Sequence, residues 1–381
     1  MTSASWTAGT DGSLSVAIEV LRHGPISRTD IAQRLALSSP SLTRLSRPLL
    51  ERHLIKETGE VVEGQIGRPR RLLDVDADSR HFVGLKLRES EVIGALTNLR
   101  GEVLRRADAE LTDRSPQAVV AVMADLIEVL RGTFELSGIG IGLGGVVRDQ
   151  STVVRSPYLD WDDVELAALT SARTGVPTLV DNDVVAFTEY VHWFGRGRDL
   201  DRFAIVTLGV ATGYGLVVNG TQIVNDDYGI GLVNHWPLDP TGPICSAGHR
   251  GCAAAVLSSD AIARRAAQAL GSPIDFDEVL TLADEGQPAA AAIVEEAGRG
   301  LGRLLAAICN LTMPEQIVIA GEGVRLAKVA EASVLAQLTA DRPRQATPPP
   351  LQLADGDNIE WCQGAAVLAI QSFVRGPNHP A

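Results

Sequence analysis

The stretch SRTDIAQRLALSSPSLTRL, residues 27–45, decides the first part of the fold. Ser27 and Asp30 are spaced as a capping box, which predicts the start of one helix. Ser39-Pro40 supplies an N-cap and a first-turn proline, which predict the start of the next. Leucines recur at helical spacing in that second helix, so one of its faces is expected to be buried. Two helices joined by a tight turn predict a helix-turn-helix.

The outward face of the second helix has the chemistry of a DNA-reading surface. Short polar and arginine side chains in this position suit base edges and phosphates in the major groove. The alternative is an ordinary three-helix bundle whose arginines are solvated. Pro48 leaves open whether the helix ends or bends there. The candidate DNA contacts on this face are Ser41, Thr43, Arg44 and Arg47.

Two extended stretches follow, at residues 54–57 and 71–75, and they flank a basic glycine-rich segment. This pattern predicts a β-hairpin wing, and Arg68 and Arg70 at its tip are candidates for minor-groove contact. A basic linker is the alternative. The sequence therefore predicts a winged helix-turn-helix domain in residues 13–78, preceded by a disordered N-terminus, residues 1–12.

The net charge of −13 over 381 residues is unevenly distributed. Residues 22–71 contain 10 Lys and Arg against 5 Asp and Glu, whereas the rest of the chain is strongly acidic. A small basic module on an acidic body can still contact phosphates, and the acidic body resists non-specific binding. The charge pattern is therefore compatible with a DNA-binding protein.

The remaining composition is that of an ordinary globular chain, with 45% hydrophobic and 21% charged residues. Four scattered cysteines are too few for a disulfide framework. No apolar run approaches the roughly 20 residues of a membrane span, and no secretory signal is visible. We expect a cytoplasmic protein with no membrane partner.

From residue 81 onward, strands and helices alternate, which predicts an α/β protein. Pro177–Val180 is a predicted strand that delivers Asp181-Asn182-Asp183 at its carboxyl end, where ligands bind in open α/β sheets. The alternative is that the acidic residue only caps the following helix. Two α/β lobes joined at a cleft are the natural packing for this pattern.

Several motifs, in this order and spacing, resemble the ROK family (repressors, open reading frames and kinases). The resemblance covers nearly the whole chain and implies the actin-like (ribonuclease-H-like), two-lobed sugar-kinase fold. It implies a small lobe formed by residues 79–184 plus 360–378 and a large lobe formed by residues 185–359. It is carried by Gly67-Arg68-Pro69, Asp181-Asn182-Asp183, His235…Cys245…Gly248…Gly251-Cys252 and Ile317–Gly321.

The resemblance implies that Asn182, Asp183 and His235 contact the hydroxyl groups of a sugar. The pattern is incomplete, because Leu232 and Ala254 stand where the family has carboxylates, and Tyr158 stands where it has an amide. Lost carboxylates remove charge-assisted hydrogen bonds, each worth roughly 1.5–3 kcal/mol. A different sugar, a non-sugar effector and a vestigial pocket all remain open.

The resemblance also implies a zinc site built from His235, Cys245 and Cys252. The family's middle cysteine is Ala247 here, and His249 is a candidate for the fourth ligand. A loop held by hydrogen bonds without zinc is the alternative.

The kinase half of the pattern is degenerate. The family's phosphate loop, Asp-x-Gly-Gly-Thr, aligns with Lys86-Leu87-Arg88-Glu89-Ser90. A lysine repels the metal, and bulky side chains block the approach of backbone amides to phosphate. We therefore predict that the chain binds no ATP and is not an enzyme.

Together, these features predict a transcriptional regulator, most simply a repressor of carbohydrate uptake or metabolism genes. Its expected partners are double-stranded operator DNA and a small sugar or sugar-phosphate effector. Because operators are two-fold symmetric, we expect a homodimer or homotetramer. The alternatives are a ROK-type sugar kinase with an appended DNA-binding domain, and a regulator that has no small-molecule ligand.

Overall fold

The computed structural model describes residues 11–61, 70–354 and 357–376. These residues fall into two compact units. The first comprises the chain up to Leu143, Val147–Arg198 and the chain from Trp361 onward; the second comprises Gly144–Val146 and Asp199–Glu360. None of the described helices is both long and apolar enough to cross a bilayer.

The first unit begins with a winged helix. Its three β-strands pair antiparallel in the order β1-β3-β2. The wing strands β2 and β3 come after the third helix in the chain. Its elements are α1 (Asp11–His23), β1 (Ile26–Ser27), α2 (Arg28–Arg34), α3 (Ser39–Glu51), β2 (Lys56–Val61) and β3 (Arg70–Asp74).

The N-terminal prediction needs one correction. Residues 1–10 of the segment expected to be disordered lie outside the described residues, but Asp11 and Gly12 already belong to α1. Gly12 lies against the side chain of Leu45, so that the first turn of α1 is held by packing on α3.

The helix starts follow the local capping chemistry with one further correction. Ser27 caps α2, since its Oγ accepts a hydrogen bond from the Asp30 amide at 3.2 Å. The N-cap of α3 is Ser38 rather than Ser39, because Ser38 is extended and its Oγ accepts from the Ser41 amide at 3.3 Å. Pro48 does not end α3, which continues to Glu51.

The rest of the first unit is an α/β layer. Its main sheet has the order β11-β7-β4-β5-β6, in which β11, β7 and β4 run parallel, and a separate small sheet has the order β10-β9-β8. The elements are β4 (His81–Leu87), β5 (Glu91–Asn98), β6 (Val103–Glu110), α4 (Pro116–Arg131), β7 (Leu136–Leu143), β8 (Val146–Arg148), β9 (Thr152–Ser156), β10 (Trp161–Val164), α5 (Leu166–Thr174), β11 (Thr178–Asn182) and α6 (Asp183–Trp193).

Helix α6 stays with the first unit, whereas we expected the large lobe to begin at residue 185. The unit extends to Arg198 because α6 packs on β7 and β11 and buries Ala186, Phe187 and Val191.

The second unit is a sheet of order β14-β13-β12-β15-β16 packed with helices. Its core is dominated by the long helix α10, in which Cys309 is a buried free thiol. The elements are β12 (Arg202–Thr207), β13 (Gly213–Val218), β14 (Thr221–Gln222), α7 (Ala253–Val256), α8 (Ser259–Leu270), α9 (Phe276–Asp284), α10 (Pro288–Thr312), β15 (Gln316–Ala320), α11 (Arg325–Val329), α12 (Glu331–Ala340) and β16 (Leu351–Leu353).

The last helix, α13 (Ile359–Arg375), packs directly on the main sheet of the first unit. A Cβ atom at Gly84 would lie 1.8 Å from the Cys362 carbonyl oxygen, and one at Gly140 would lie 1.7 Å from that of Ala365. Only glycine permits this close approach. Val367, Ile370 and Val374 of α13 then join the apolar core of the winged helix, which is therefore shared with the α/β layer.

Candidate functional site

The outward face of α3 carries the candidate DNA contacts. Thr43, Arg44 and Arg47 are exposed, and Ser41 is half-buried. Thr43 Oγ1 donates to the Ser39 carbonyl at 3.0 Å, and Arg47 Nε donates to Glu51 at 2.8 Å. Arg47 is thus oriented along the helix, where a weak exposed ion pair leaves it able to rotate onto a phosphate.

The opposite face of α3 fixes this orientation. Leu42, Ser46 and Leu49 are buried and Leu45 is half-buried, so the leucine spacing predicted the inward side of the helix. Arg44 forms no hydrogen bond or ion pair with any other residue that the structure describes. Its guanidinium group is therefore available to a ligand outside the chain.

The wing is described only in part. Arg68 lies outside the described residues, and for Arg70 only its backbone position at the start of β3 is described. At the base of the wing, Glu57 accepts hydrogen bonds from Arg28 and Arg71, both at 2.8 Å, and these bonds hold the pKa of its carboxyl group below the ordinary value. The contacts of Arg68 and Arg70 with DNA remain predictions.

The strand-end motif lies where the sequence predicted it, at the carboxyl end of β11. Asn182 is the N-cap of α6, since its Oδ1 accepts from the amides of Val184 at 2.9 Å and Val185 at 3.3 Å. Asp183 Oδ1 also accepts from the Val184 amide, at 2.9 Å. The capping role is therefore present in the fold, and ligand binding by these residues remains a prediction.

The second carboxylate oxygen of Asp183 is bound by the ammonium group of Lys86. Only 11% of the Lys86 side chain and 16% of the Asp183 side chain are exposed. Lys86 Nζ also lies 4.0 Å from the centre of the Trp361 ring, which stacks on Phe187 at 4.7 Å. The sequence indicated that Lys86 opposes a metal, but it gave no sign of this ion pair, whose partners are 97 residues apart.

Asp181 precedes this pair and is in a different environment. Burial raises the pKa of its carboxyl group to about 6, although a hydrogen bond from Gln150 at 3.2 Å favours the ionised form. A carboxyl group whose pKa is raised in the folded state destabilises the fold as it ionises, so this contribution grows between about pH 4 and pH 6. With a pKa of about 6, the Asp181 carboxyl group is mostly ionised at neutral pH and becomes protonated as the pH falls below that value.

The second unit brings the predicted metal ligands together. The ligand atoms of His235, Cys245, His249 and Cys252 all lie within 4.8 Å of one another. His235 Nδ1 lies 3.7 Å from Cys245 Sγ and 3.6 Å from Cys252 Sγ, and His249 Nδ1 lies 3.8 Å from Cys245 Sγ. His249, suggested only as a candidate by the sequence, thus joins the cluster.

This arrangement fits a tetrahedral metal. With zinc–sulfur and zinc–nitrogen bonds of about 2.3 and 2.0 Å, a tetrahedron has sulfur–nitrogen edges of about 3.5 Å, close to the distances found here. Two thiolates and two imidazoles are also a common donor set for structural zinc.

The thiols lie in environments that differ. Burial raises the pKa of Cys245, but hydrogen bonds with the backbone amides of His249 and Ala247 and with the Cys252 side chain outweigh this effect, so its pKa falls below the ordinary value. Burial raises the pKa of Cys252, which remains above the ordinary value.

His235 was also predicted to contact a sugar together with Asn182 and Asp183. His235 belongs to the second unit, whereas Asn182 and Asp183 belong to the first. Within the second unit, His235 is exposed and adjoins the two thiols. Its contact with a sugar remains a prediction.

Similar curated proteins are transcriptional regulators. The chain is 29% identical over 325 residues to the DNA-binding transcriptional dual regulator NagC of Escherichia coli (strain K12), covering 81% of this chain and 79% of NagC. It is 23% identical over 308 residues to the xylose repressor of Bacillus subtilis (strain 168), covering 79% of each chain.

Solved structures confirm the predicted architecture. A ROK family transcriptional regulator, a homologue of the E. coli Mlc protein, superposes with a TM-score of 0.79 at 26% identity, covering 96% of this chain and 98% of that one. A ROK family glucokinase from Streptomyces griseus has the same fold, with a TM-score of 0.66 at 22% identity over 76% of this chain and 99% of that one.

The model of the family described as ROK matches residues 83–372. This match covers well over half of the chain and includes the strand-end motif and the metal cluster. The chain therefore belongs to the ROK family.

Proposed function

We propose that this protein is a sequence-specific DNA-binding transcriptional regulator that represses genes of carbohydrate uptake or metabolism. The observation that carries the proposal is the exposed face of α3, with Thr43, Arg44 and Arg47 on a winged helix. Two of its relatives, a DNA-binding transcriptional dual regulator and a xylose repressor, support the same function.

The direct experiment is selection of bound DNA fragments by the full chain, repeated with and without N-acetylglucosamine, glucose and xylose. We expect enrichment of a two-fold symmetric site, because a homodimer or homotetramer presents paired recognition helices. Release of the selected DNA by one sugar would identify the effector. Failure to enrich any sequence would contradict the proposal.

Replacing Arg44 with alanine should weaken binding to the selected site by about 1–3 kcal/mol if Arg44 contacts a base edge. The loss should be much smaller on unrelated DNA of equal length. Fluorescence anisotropy at fixed salt measures both affinities. The control is Arg155→Ala, since Arg155 is an exposed arginine on β9, outside the winged helix. An equal loss on all sequences would identify Arg44 as a phosphate contact instead.

We further propose that an effector at Asn182 and Asp183 acts on the winged helix through α6. These residues begin α6, and the other end of the helix contacts α1: Arg22 Nη2 donates to the His192 carbonyl at 2.8 Å and to the Arg198 carbonyl at 3.1 Å. Trp193 belongs to the apolar core of the winged helix. A rigid helix can couple two sites when one end contacts the ligand site and the other end contacts the winged helix.

Replacing Arg22 with alanine tests this route. Effectors typically change affinity by about 5–150-fold, and we expect the variant to lose most of that factor while it still binds operator DNA. The measurement is operator affinity with and without the sugar that releases the wild type. An unchanged sugar response in the variant would exclude this route. The Arg155→Ala variant serves as the control here as well.

A sugar kinase with an appended DNA-binding domain is the second candidate, favoured by Asp183 at the strand end. The ion pair with Lys86 opposes it, because a general base must reach the substrate hydroxyl and Asp183 is already bound. Assays of ATP-dependent phosphorylation across common hexoses should therefore give no turnover, and measurable turnover would favour the kinase. If no hexose shifts the melting temperature or releases DNA, a regulator without a sugar ligand is favoured.

We also propose that His235, Cys245, His249 and Cys252 hold zinc. The metal would cross-link residues 235–252, and its role would be structural. Its support is the donor set and the distances between the ligand atoms.

A further inference from the structure

The second unit contains a cavity of about 580 Å³ that none of the proposed functions uses. Its volume falls in the range of small-molecule sites, about 300–1,000 Å³. The charged side chains around it come from α8, from α10 and from the loop before α7: Arg250, Arg265, Arg299, Arg303, Asp239 and Glu296.

Arginines are much more frequent in the lining of this cavity than in the second unit as a whole. Residues 199–360 contain 10 Lys and Arg against 20 Asp and Glu, yet four of those ten basic residues line this one cavity. Among the residues that the structure describes, only two acidic ones, Asp239 and Glu296, line it with them. Like charges held close together repel one another, so an unoccupied cluster is unfavourable and an anion would relieve the repulsion.

The hydrogen bonds of these arginines leave donors unused. Arg303 Nη1 donates to the Leu238 carbonyl at 2.6 Å, and Arg265 Nη2 donates to Glu296 at 2.6 Å. A guanidinium group has five N–H donors, so these contacts use only a part of them. Arg265 Nη1 is buried and forms no hydrogen bond within the described part of the chain, which costs free energy unless a ligand accepts from it.

We propose that this cavity binds a small polyanion, either a phosphorylated molecule or a polycarboxylate. Guanidinium groups recognise both through paired N–H···O bonds, and two or more converging arginines favour a ligand with more than one negative charge. All of its lining residues belong to the second unit, whereas Asn182 and Asp183 belong to the first. This site therefore shares no residue with the proposed effector contacts at the strand end.

Isothermal titration of the full chain with inorganic phosphate tests the proposal, with succinate as a second arm that distinguishes phosphoryl from carboxylate ligands. We expect one site per chain with a dissociation constant of about 1 mM or lower for at least one of the two anions. Arg265→Gln and Arg299→Gln should each weaken binding by about 10- to 100-fold. Glu296→Gln should strengthen binding, because it removes a negative charge and releases Arg265.

Arg325→Gln is the matched control, since Arg325 is an arginine of the same unit that contacts Asp277 and does not line the cavity. It should bind the anion as the wild type does. Circular dichroism and melting temperature check that each variant is folded. The proposal is overturned if neither anion binds below about 10 mM. It is also overturned if folded Arg265→Gln binds as the wild type does, or if Arg325→Gln loses as much affinity.

Discussion

Replacing Lys86 with methionine should lower the free energy of unfolding by about 3–5 kcal/mol. The ammonium group of Lys86 is the counter-ion of the Asp183 carboxylate, and both side chains are largely withdrawn from water. Methionine has a similar length but no charge, so the carboxylate would be left unpaired and incompletely solvated. The cation–π contact with Trp361 would be lost as well. Urea denaturation with a common m-value measures the change.

The double variant Lys86→Met with Asp183→Asn is the matched control. It removes both charges at nearly constant volume, and replacing a complete buried pair is often neutral, so most of the lost stability should return. This recovery distinguishes an unpaired charge from a loss of packing. A loss below about 1 kcal/mol in the single variant would mean that water screens the pair, as at an exposed site.

Replacing Cys252 with serine should weaken zinc binding by more than about 100-fold. Even partners that only orient metal ligands contribute about 10- to 100-fold to affinity, and a thiolate ligand contributes more. His249→Ala should also reduce affinity strongly, since His249 completes the set of four donors. Competition with a chromogenic chelator measures affinity, and metal analysis of the purified protein gives the stoichiometry.

Cys309→Ala is the control, because Cys309 is a buried thiol of α10 outside the cluster. It should retain one equivalent of zinc. If His249→Ala binds zinc as tightly as the wild type does, only three protein residues ligate the metal. Unchanged affinity in Cys252→Ser would mean that these residues do not form a metal site.

The winged helix could be predicted from the sequence because its determinants are local. The Ser27 capping box, the polar turn before α3 and the leucine spacing each act within a few residues of the chain. The one-residue error at the N-cap of α3 has the same origin. Ser38 and Ser39 are equally good caps by type, and only the extended backbone of Ser38 distinguishes them.

The sites were predicted less completely, because their partners are distant in the chain. Lys86 meets Asp183 across β4, β7 and β11, and Trp361 reaches the pair only through α13. The order of parallel strands and the packing of a terminal helix set these contacts, and no local pattern encodes them. The metal cluster was predicted better, since its four ligands lie within 18 consecutive residues, and His249, a candidate fourth ligand in the sequence, lies in the cluster.

The packing of α13 against Gly84 and Gly140 has a consequence for biosynthesis. The residues that complete the core of the winged helix lie far downstream of it in the chain, so they leave the ribosome long after the winged helix itself. A prematurely terminated chain that lacks Val367, Ile370 and Val374 therefore has an unfinished N-terminal core. We expect proteases to degrade such a fragment. It would therefore not persist as a separate winged helix that competes with the intact regulator for DNA.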